Sequence, residues 1–222
     1  KDKPTFMNRE PTTAKMIADF LKVCGVDTHI VYHPHTYALY GCYGTSIRYT
    51  PLSGLHLFVE IFEQLKNRDD TIVVSVDAGA AKFTIHFANT MGLPYAISNK
   101  FRSSGEKAEI LGVIGDFKGK KTAIVIDDET ITGTSIINAV KKLYVDFGIH
   151  DIYVGISHLK LKKKYYAGLI EAHEKYGLKE FHTTDSIPQD DEILKHGFIK
   201  QHCLVEKIAS THKRIGEEIV EK

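Results

Sequence analysis

The sequence predicts an α/β protein with a mostly parallel sheet flanked by helices, and three observations predict it. Short uninterrupted apolar runs such as Ile72-Val73-Val74 and Ala123-Ile124-Val125-Ile126 suit parallel strands covered on both faces. Between such runs the apolar positions change to helical spacing, as at Leu55, Phe58, Val59, Phe62 and Leu65. That alternation is the pattern of a sheet with covering helices. Acids stand directly after two of the runs, Asp77 after residues 71–76 and Asp127-Asp128 after 123–126. These are the carboxyl ends of strands, where open α/β sheets place their ligands.

Taken in order, Pro11 suits a first helical turn, and Met16, Ile17, Phe20, Leu21 and Cys24 fall on one face before Gly25 ends the helix. Residues 28–32 read as a strand closing on His33-Pro34-His35. A helix over 55–65 precedes the strand 71–76. Residues 80–91 read as a helix with Phe83, Phe87 and Met91 inward, stopped by Gly92. Tyr95-Ala96-Ile97 is a short strand that delivers the polar loop Asn99-Lys100-Phe101-Arg102-Ser103-Ser104-Gly105. A helix carries Ile136, Ile137, Ala139, Val140, Leu143 and Tyr144; strands follow at 152–156 and 180–182, and Ile208, Ile215 and Ile219 mark a closing helix. No internal repeat or long linker interrupts the chain. The polar turn Asn67-Arg68-Asp69-Asp70 is the expected division between lobes, giving 1–70 and 71–222.

The stretch from Thr122 to Ile136, TAIVIDDETITGTSI, carries the most chemistry. A buried strand leads to two carboxylates and then to Thr132-Gly133-Thr134-Ser135, which opens a helix. Hydroxyls, a glycine free to take positive φ and the unpaired amides of a helix start together form a phosphate site. The adjacent acids suit sugar hydroxyls or a Mg2+ that bridges ligand oxygens. Helix capping by the acids and an ordinary Thr-Gly-Thr-Ser turn are the plain alternatives.

Composition fits a cytoplasmic enzyme. Of 222 residues, 43% are hydrophobic and 26% charged, enough for a sizeable core. A net charge of +1 argues against a nucleic-acid partner. Cys24, Cys42 and Cys203 have no CxxC spacing and are expected as reduced thiols, with no zinc site. No apolar stretch is long enough to span a bilayer. The absence of an initiating Met leads to the expectation of a piece of a longer protein.

Other groups have competing readings. His33 and His35 could place two imidazoles on one side of a loop, to hold a metal or phosphate, or form an ordinary surface pair. Asp77 could bind a cation or cap the next helix. Lys100 and Arg102, two apart, point the same way if their stretch is extended. Lys160 and Lys162-Lys163-Lys164 read as a solvated helix face rather than a nucleic-acid patch. His158 lies at a further strand end.

The 122–136 segment resembles the phosphoribosyl-diphosphate (PRPP) loop of the type I phosphoribosyltransferase fold. Arg9-Glu10-Pro11-Thr12-Thr13-Ala14-Lys15, His33-Pro34-His35, Ser75-Val76-Asp77-Ala78-Gly79-Ala80, Lys100-Phe101-Arg102, Val113-Ile114-Gly115-Asp116 and Thr183-Thr184-Asp185-Ser186-Ile187-Pro188 follow in the order of the ribose-phosphate diphosphokinase family. The resemblance spans almost the whole chain. It implies two lobes of related fold, the first truncated, with much of the adenine-binding surface in a part that precedes Lys1. It further implies ATP and ribose 5-phosphate as substrates, Mg2+ as cofactor and a homodimer that can build a hexamer. By resemblance His35 is the catalytic histidine beside the ATP phosphates and their Mg2+, and Asp77 a Mg2+ ligand. Lys100 and Arg102 then lie on a closing loop over the reacting phosphates, where cationic stabilisation matters most. Asp127 and Asp128 hold ribose hydroxyls, and Thr132, Gly133, Thr134 and Ser135 cradle the 5-phosphate. The chain departs from the family at His33, which replaces an Asp, at Ile131, which replaces an acid, at Thr134, which replaces a Gly, and at Ala38 and Tyr40, where a Gln is usual. A phosphoribosyltransferase that consumes PRPP and a non-catalytic associated subunit are the alternatives.

Overall fold

A computed structural model describes residues 12–101 and 109–220, in two compact units, Lys1–Gly54 and Leu55–Lys222. The first holds helix α1 (Thr13–Val23), strand β1 (Thr28–Tyr32), the short helix α2 (Tyr40–Tyr43) and strand β2 (Arg48–Leu52). β1 and β2 pair in parallel from Thr28↔Arg48 to Tyr32↔Leu52. The helical period of α1 is present, but Met16, Ile17 and Phe20 are 42%, 48% and 60% exposed, and Ala18 alone is buried. An aromatic cluster fills this unit: Tyr43 stacks on Tyr49 at 4.6 Å, and His29 Nδ1 lies 2.7 Å from the Tyr43 hydroxyl. Burial, with the neighbouring phenols, pushes Tyr49 up to about 12.

The second unit contains α3 (Leu55–Ile61), β3 (Thr71–Ser75), α4 (Ala81–Met91), β4 (Tyr95–Phe101), β5 (Glu109–Ile114), β6 (Thr122–Thr130), α5 (Thr134–Phe147), β7 (Asp151–Leu159), α6 (Tyr166–Lys175), β8 (Leu178–Thr184), α7 (Asp191–Leu194), β9 (Ile199–His202) and α8 (Val205–Val220). Its seven strands lie in the order β5-β4-β3-β6-β7-β8-β9, parallel except for the β4/β5 pair. The α/β class expected from the alternation is the one observed.

Why the central strands are apolar at every position is visible in the two cores. Ile72, Val74 and Val125 pack with Ile136, Val140 and Leu143 of α5 and with Leu169 of α6. Val73, Ile124 and Ile126 point the other way, to Phe58, Phe62, Phe87 and Met91. Successive side chains on a strand face opposite sides, so both sets must be apolar. Gly155 of β7 belongs to the second packing, since a Cβ there would stand 2.9 Å from Phe58 Cδ1 and 3.1 Å from Phe62 Cε2. α3 is therefore part of the second unit, and the units divide at Gly54/Leu55, ahead of the polar 67–70 turn.

Several elements differ from expectation. β2, β5 and β9 carry no clear period: RYTPL contains a proline and IKQH is a four-residue polar edge strand. β4 runs on to Phe101, so Asn99 and Lys100 belong to a strand rather than to a loop. The lysine run does not open a helix; Lys160 follows β7, a 3-10 turn spans Lys163–Tyr165, and α6 starts at Tyr166. Cys24, Cys42 and Cys203 are free thiols. No helix among the described residues is long and apolar enough to cross a membrane.

Candidate functional site

β6 is longer than its apolar run and carries both acids within its final residues, ending at Thr130. Parallel pairing explains this: Asp127↔Ile156, Glu129↔His158 and Thr130↔Leu159 continue the ladder with β7. Past Thr130 the chain turns through Gly133, which takes φ 68° and caps α5. Thr130 Oγ1 accepts from the Gly133 amide at 3.1 Å. The Thr132 hydroxyl donates to Thr134 Oγ1 at 2.9 Å and accepts from the Thr134 amide at 3.3 Å. The loop is thus held in shape by its own hydroxyls, while Ser135 and Ile136 bring their amides to the first turn of α5, where no helix carbonyl is available to them. The positive end of a 14-residue helix stands at that point.

The two acids are not equivalent. Asp127 is 9% exposed and Asp128 half-buried. Burial, then the hydrogen bond to the Asp128 carboxyl and that group's charge, push Asp127 up to about 8, and Asp77 adds to the push. The Asp128 amide donates to Asp127 Oδ1 at 2.8 Å. Burial and the neighbouring carboxylate thus favour the protonated form of Asp127, which can donate as well as accept. β3 lies beside β6 with Ser75 opposite Ile126, so Asp77, two residues on, reaches the same edge of the sheet. The capping reading of Asp77 is the one observed: its Oδ1 accepts from Gly79 N at 2.9 Å and Ala80 N at 3.1 Å, which fixes the carboxylate ahead of α4. A carboxylate aimed by two amides is the oxygen donor that Mg2+ takes.

At the neighbouring strand ends, His158 Nδ1 lies 2.8 Å from Ser186 Oγ, and the Thr184 hydroxyl is 2.7 Å from the Ser157 carbonyl. Asp185 Oδ1 accepts from the Leu204 amide at 2.9 Å, which ties the 183–188 turn to the start of α8.

In the second unit the structure brings together Asp77, Asp127, Asp128, Thr132, Gly133, Thr134 and Ser135 at one edge of the sheet. Lys100 lies in β4 opposite Ile110. Arg102 and the rest of its loop to residue 108 lie outside the described residues, as does the Arg9 to Pro11 stretch. In the first unit His35 is exposed, while His33 is 6% exposed with φ 42°. Sequence reasoning missed Thr130 and Glu129. A hydroxyl three residues before a helix-opening glycine was the signal for the first; the partner of the second is remote in sequence.

No family model matches the chain. It is 35% identical to a ribose-phosphate pyrophosphokinase of Clostridium acetobutylicum over 181 residues, 81% of this chain and 54% of that protein. It is 30% identical to one from Clostridium tetani over 214 residues, 95% of this chain and 64% of that one. Among solved structures, the phosphoribosylpyrophosphate synthetase from Mycobacterium smegmatis has a TM-score of 0.80 at 26% identity, covering 95% of this chain and 66% of that chain. The chain spans a little over half the length of the first two curated relatives it matches, 54% and 56%.

Proposed function

We infer that this chain, which belongs to the ribose-phosphate pyrophosphokinase family over the length it shares with these relatives, transfers the diphosphoryl group of ATP to the 1-hydroxyl of ribose 5-phosphate, giving PRPP and AMP for nucleotide biosynthesis. One observation supports the reading: the β6 acids and the hydroxyl-braced loop stand together at the carboxyl edge of the sheet, an arrangement suited to a sugar phosphate.

The 5-phosphate lies on the amides at the head of α5 and on the hydroxyls of Thr132, Thr134 and Ser135. Asp127 and Asp128 bind the ribose hydroxyls, the protonated Asp127 serving as donor. Held in this way, the 1-hydroxyl oxygen is aligned with the β-phosphorus; it bonds there as the bond to the AMP oxygen breaks, and the hydroxyl proton is released to solvent. Alignment supplies much of the rate, and no covalent intermediate is needed. Lys100 and Arg102 stabilise the charge that spreads over the transferred group, and His35 binds beside the ATP phosphates. Mg2+ would supply further neutralisation of phosphate charge when bound; Asp77 in the second unit is a residue that would hold it, and His35 in the first unit is a separate candidate ligand. Assembly into a homodimer or hexamer and a cytoplasmic location belong to the same reading.

The test is a phosphorus NMR time course on the full-length protein with Mg2+, ATP and ribose 5-phosphate. AMP and PRPP should appear in equal amounts, and Lys100→Ala should abolish both. Unchanged ATP overturns the reading.

A further inference from the structure

Below the phosphate loop, β6 and β7 are joined by a charged pair that the chemistry above does not use. Lys160, the residue after β7, places its Nζ 2.6 Å from Glu129 Oε2. The Glu129 side chain is 8% exposed and that of Lys160 44%. The Lys160 amide also donates to the Thr130 carbonyl at 2.8 Å. Thr130 in turn holds the Gly133 amide with its hydroxyl. The next residue, Leu161, is buried, and its Cδ1 lies 3.3 Å from where a Cβ on Gly133 would stand. Residues 160–161 therefore grip the loop through an ion pair, a ladder hydrogen bond and a packing contact.

The other lysines of the run behave differently. Lys163 pairs with Glu192 at 3.0 Å, both well exposed, and Lys164 lies over the Tyr165 ring. Exposed pairs of that kind contribute little. The Glu129 side chain is buried although Lys160 is not, and removing the cation is costly because the buried carboxylate left behind must find solvent or a proton.

We propose that Lys160, through Glu129, is a positioning residue that sets the affinity of the loop for ribose 5-phosphate. The inference rests on the function proposed above. Glu129 follows Asp128 and precedes Thr130, so any movement of its carboxylate toward water shifts the residues that hold the sugar and the residue that holds Gly133. A displacement well below 1 Å is enough to weaken a phosphate cradle about tenfold.

The variant is Lys160→Met in the full-length protein, which keeps the aliphatic stem and removes the charge. The KM for ribose 5-phosphate should rise about tenfold while kcat and the KM for ATP stay within about twofold. Hydrogen exchange in the peptide covering 127–136 should accelerate, and Lys160→Arg should restore both properties. An unchanged KM for ribose 5-phosphate in an active enzyme overturns the proposal. So does an equal loss of ATP affinity and thermal stability, which marks a general structural role. If the wild-type protein makes no PRPP, the functional reading fails separately, and unchanged exchange over 127–136 then overturns the positioning role.

Discussion

Replacing Gly133 by Ala tests whether the loop geometry depends on one backbone conformation. Gly133 has φ 68° and ψ −9°, a left-handed state. An L-residue with a Cβ costs about 1 kcal/mol there. The new methyl would meet Leu161 Cδ1 at 3.3 Å, Ile137 Cδ1 at 3.6 Å and Leu169 Cδ2 at 4.0 Å. All three are ends of flexible side chains, so relief takes a few tenths of an ångström and adds roughly 0.5–1 kcal/mol. The combined loss of about 1.5–2 kcal/mol corresponds to a fall in Tm of about 3–8 °C for a chain of this size. Equilibrium urea denaturation measures it directly, with the slope checked for an unchanged denatured state. Gly133→Asn is the companion variant, because Asn tolerates the left-handed region yet carries the same Cβ. It should recover about half of the loss. A Gly133→Ala protein within about 0.3 kcal/mol of wild type would refute the backbone argument. Equal costs for Ala and Asn would move the cause to the Leu161 contact.

Two further expectations concern pH. Burial raises Asp127 to about 8, so the folded chain holds a proton that the unfolded chain has released, and wild-type stability falls as pH rises from about 4 to about 8. Asp127→Asn, measured against wild type by urea titration, should therefore gain about 4 kcal/mol between pH 5 and pH 8; a constant difference across that range would sink the assignment. His182 behaves in the opposite sense. Burial pushes it down to about 4, with His202 Nε2 2.9 Å from its Nδ1. Its contribution is complete above the ordinary 6.5 and is lost as pH falls toward 4. The stability advantage of wild type over His182→Gln should shrink by about 1 kcal/mol from pH 7 to pH 5, and an advantage independent of pH would show that the ring is not held neutral.

The parts of the fold legible in the sequence are those whose cause is local. β3 and β6 were readable because strands covered on both faces need apolar residues at every position, and the two cores supply those faces through Ile72/Val74 and Val73. The order of strand, acids, hydroxyl loop and helix from Thr122 onward was readable for the same reason, since capping, positive φ at Gly133 and a helix start are properties of adjacent residues. β2, β5 and β9 were not, because a strand that pairs at an edge takes its stability from its neighbour rather than from its own period.

By itself, then, the sequence determined the α/β class, the place of the hydroxyl loop that opens α5 and the family resemblance, all of which rest on short-range order along the chain. Tertiary structure decided what depends on neighbours remote in sequence. It separated buried His33 from exposed His35, and left Met16, Ile17 and Phe20 of α1 exposed. It also assigned α3 to the second unit through Phe58 and Phe62. It made Asp127 and Asp128 unlike each other through burial, and it turned Lys160 from one of several surface lysines into the partner of Glu129. Burial and pairing across 31 residues of chain are properties of the packed sheet, and no local pattern encodes them.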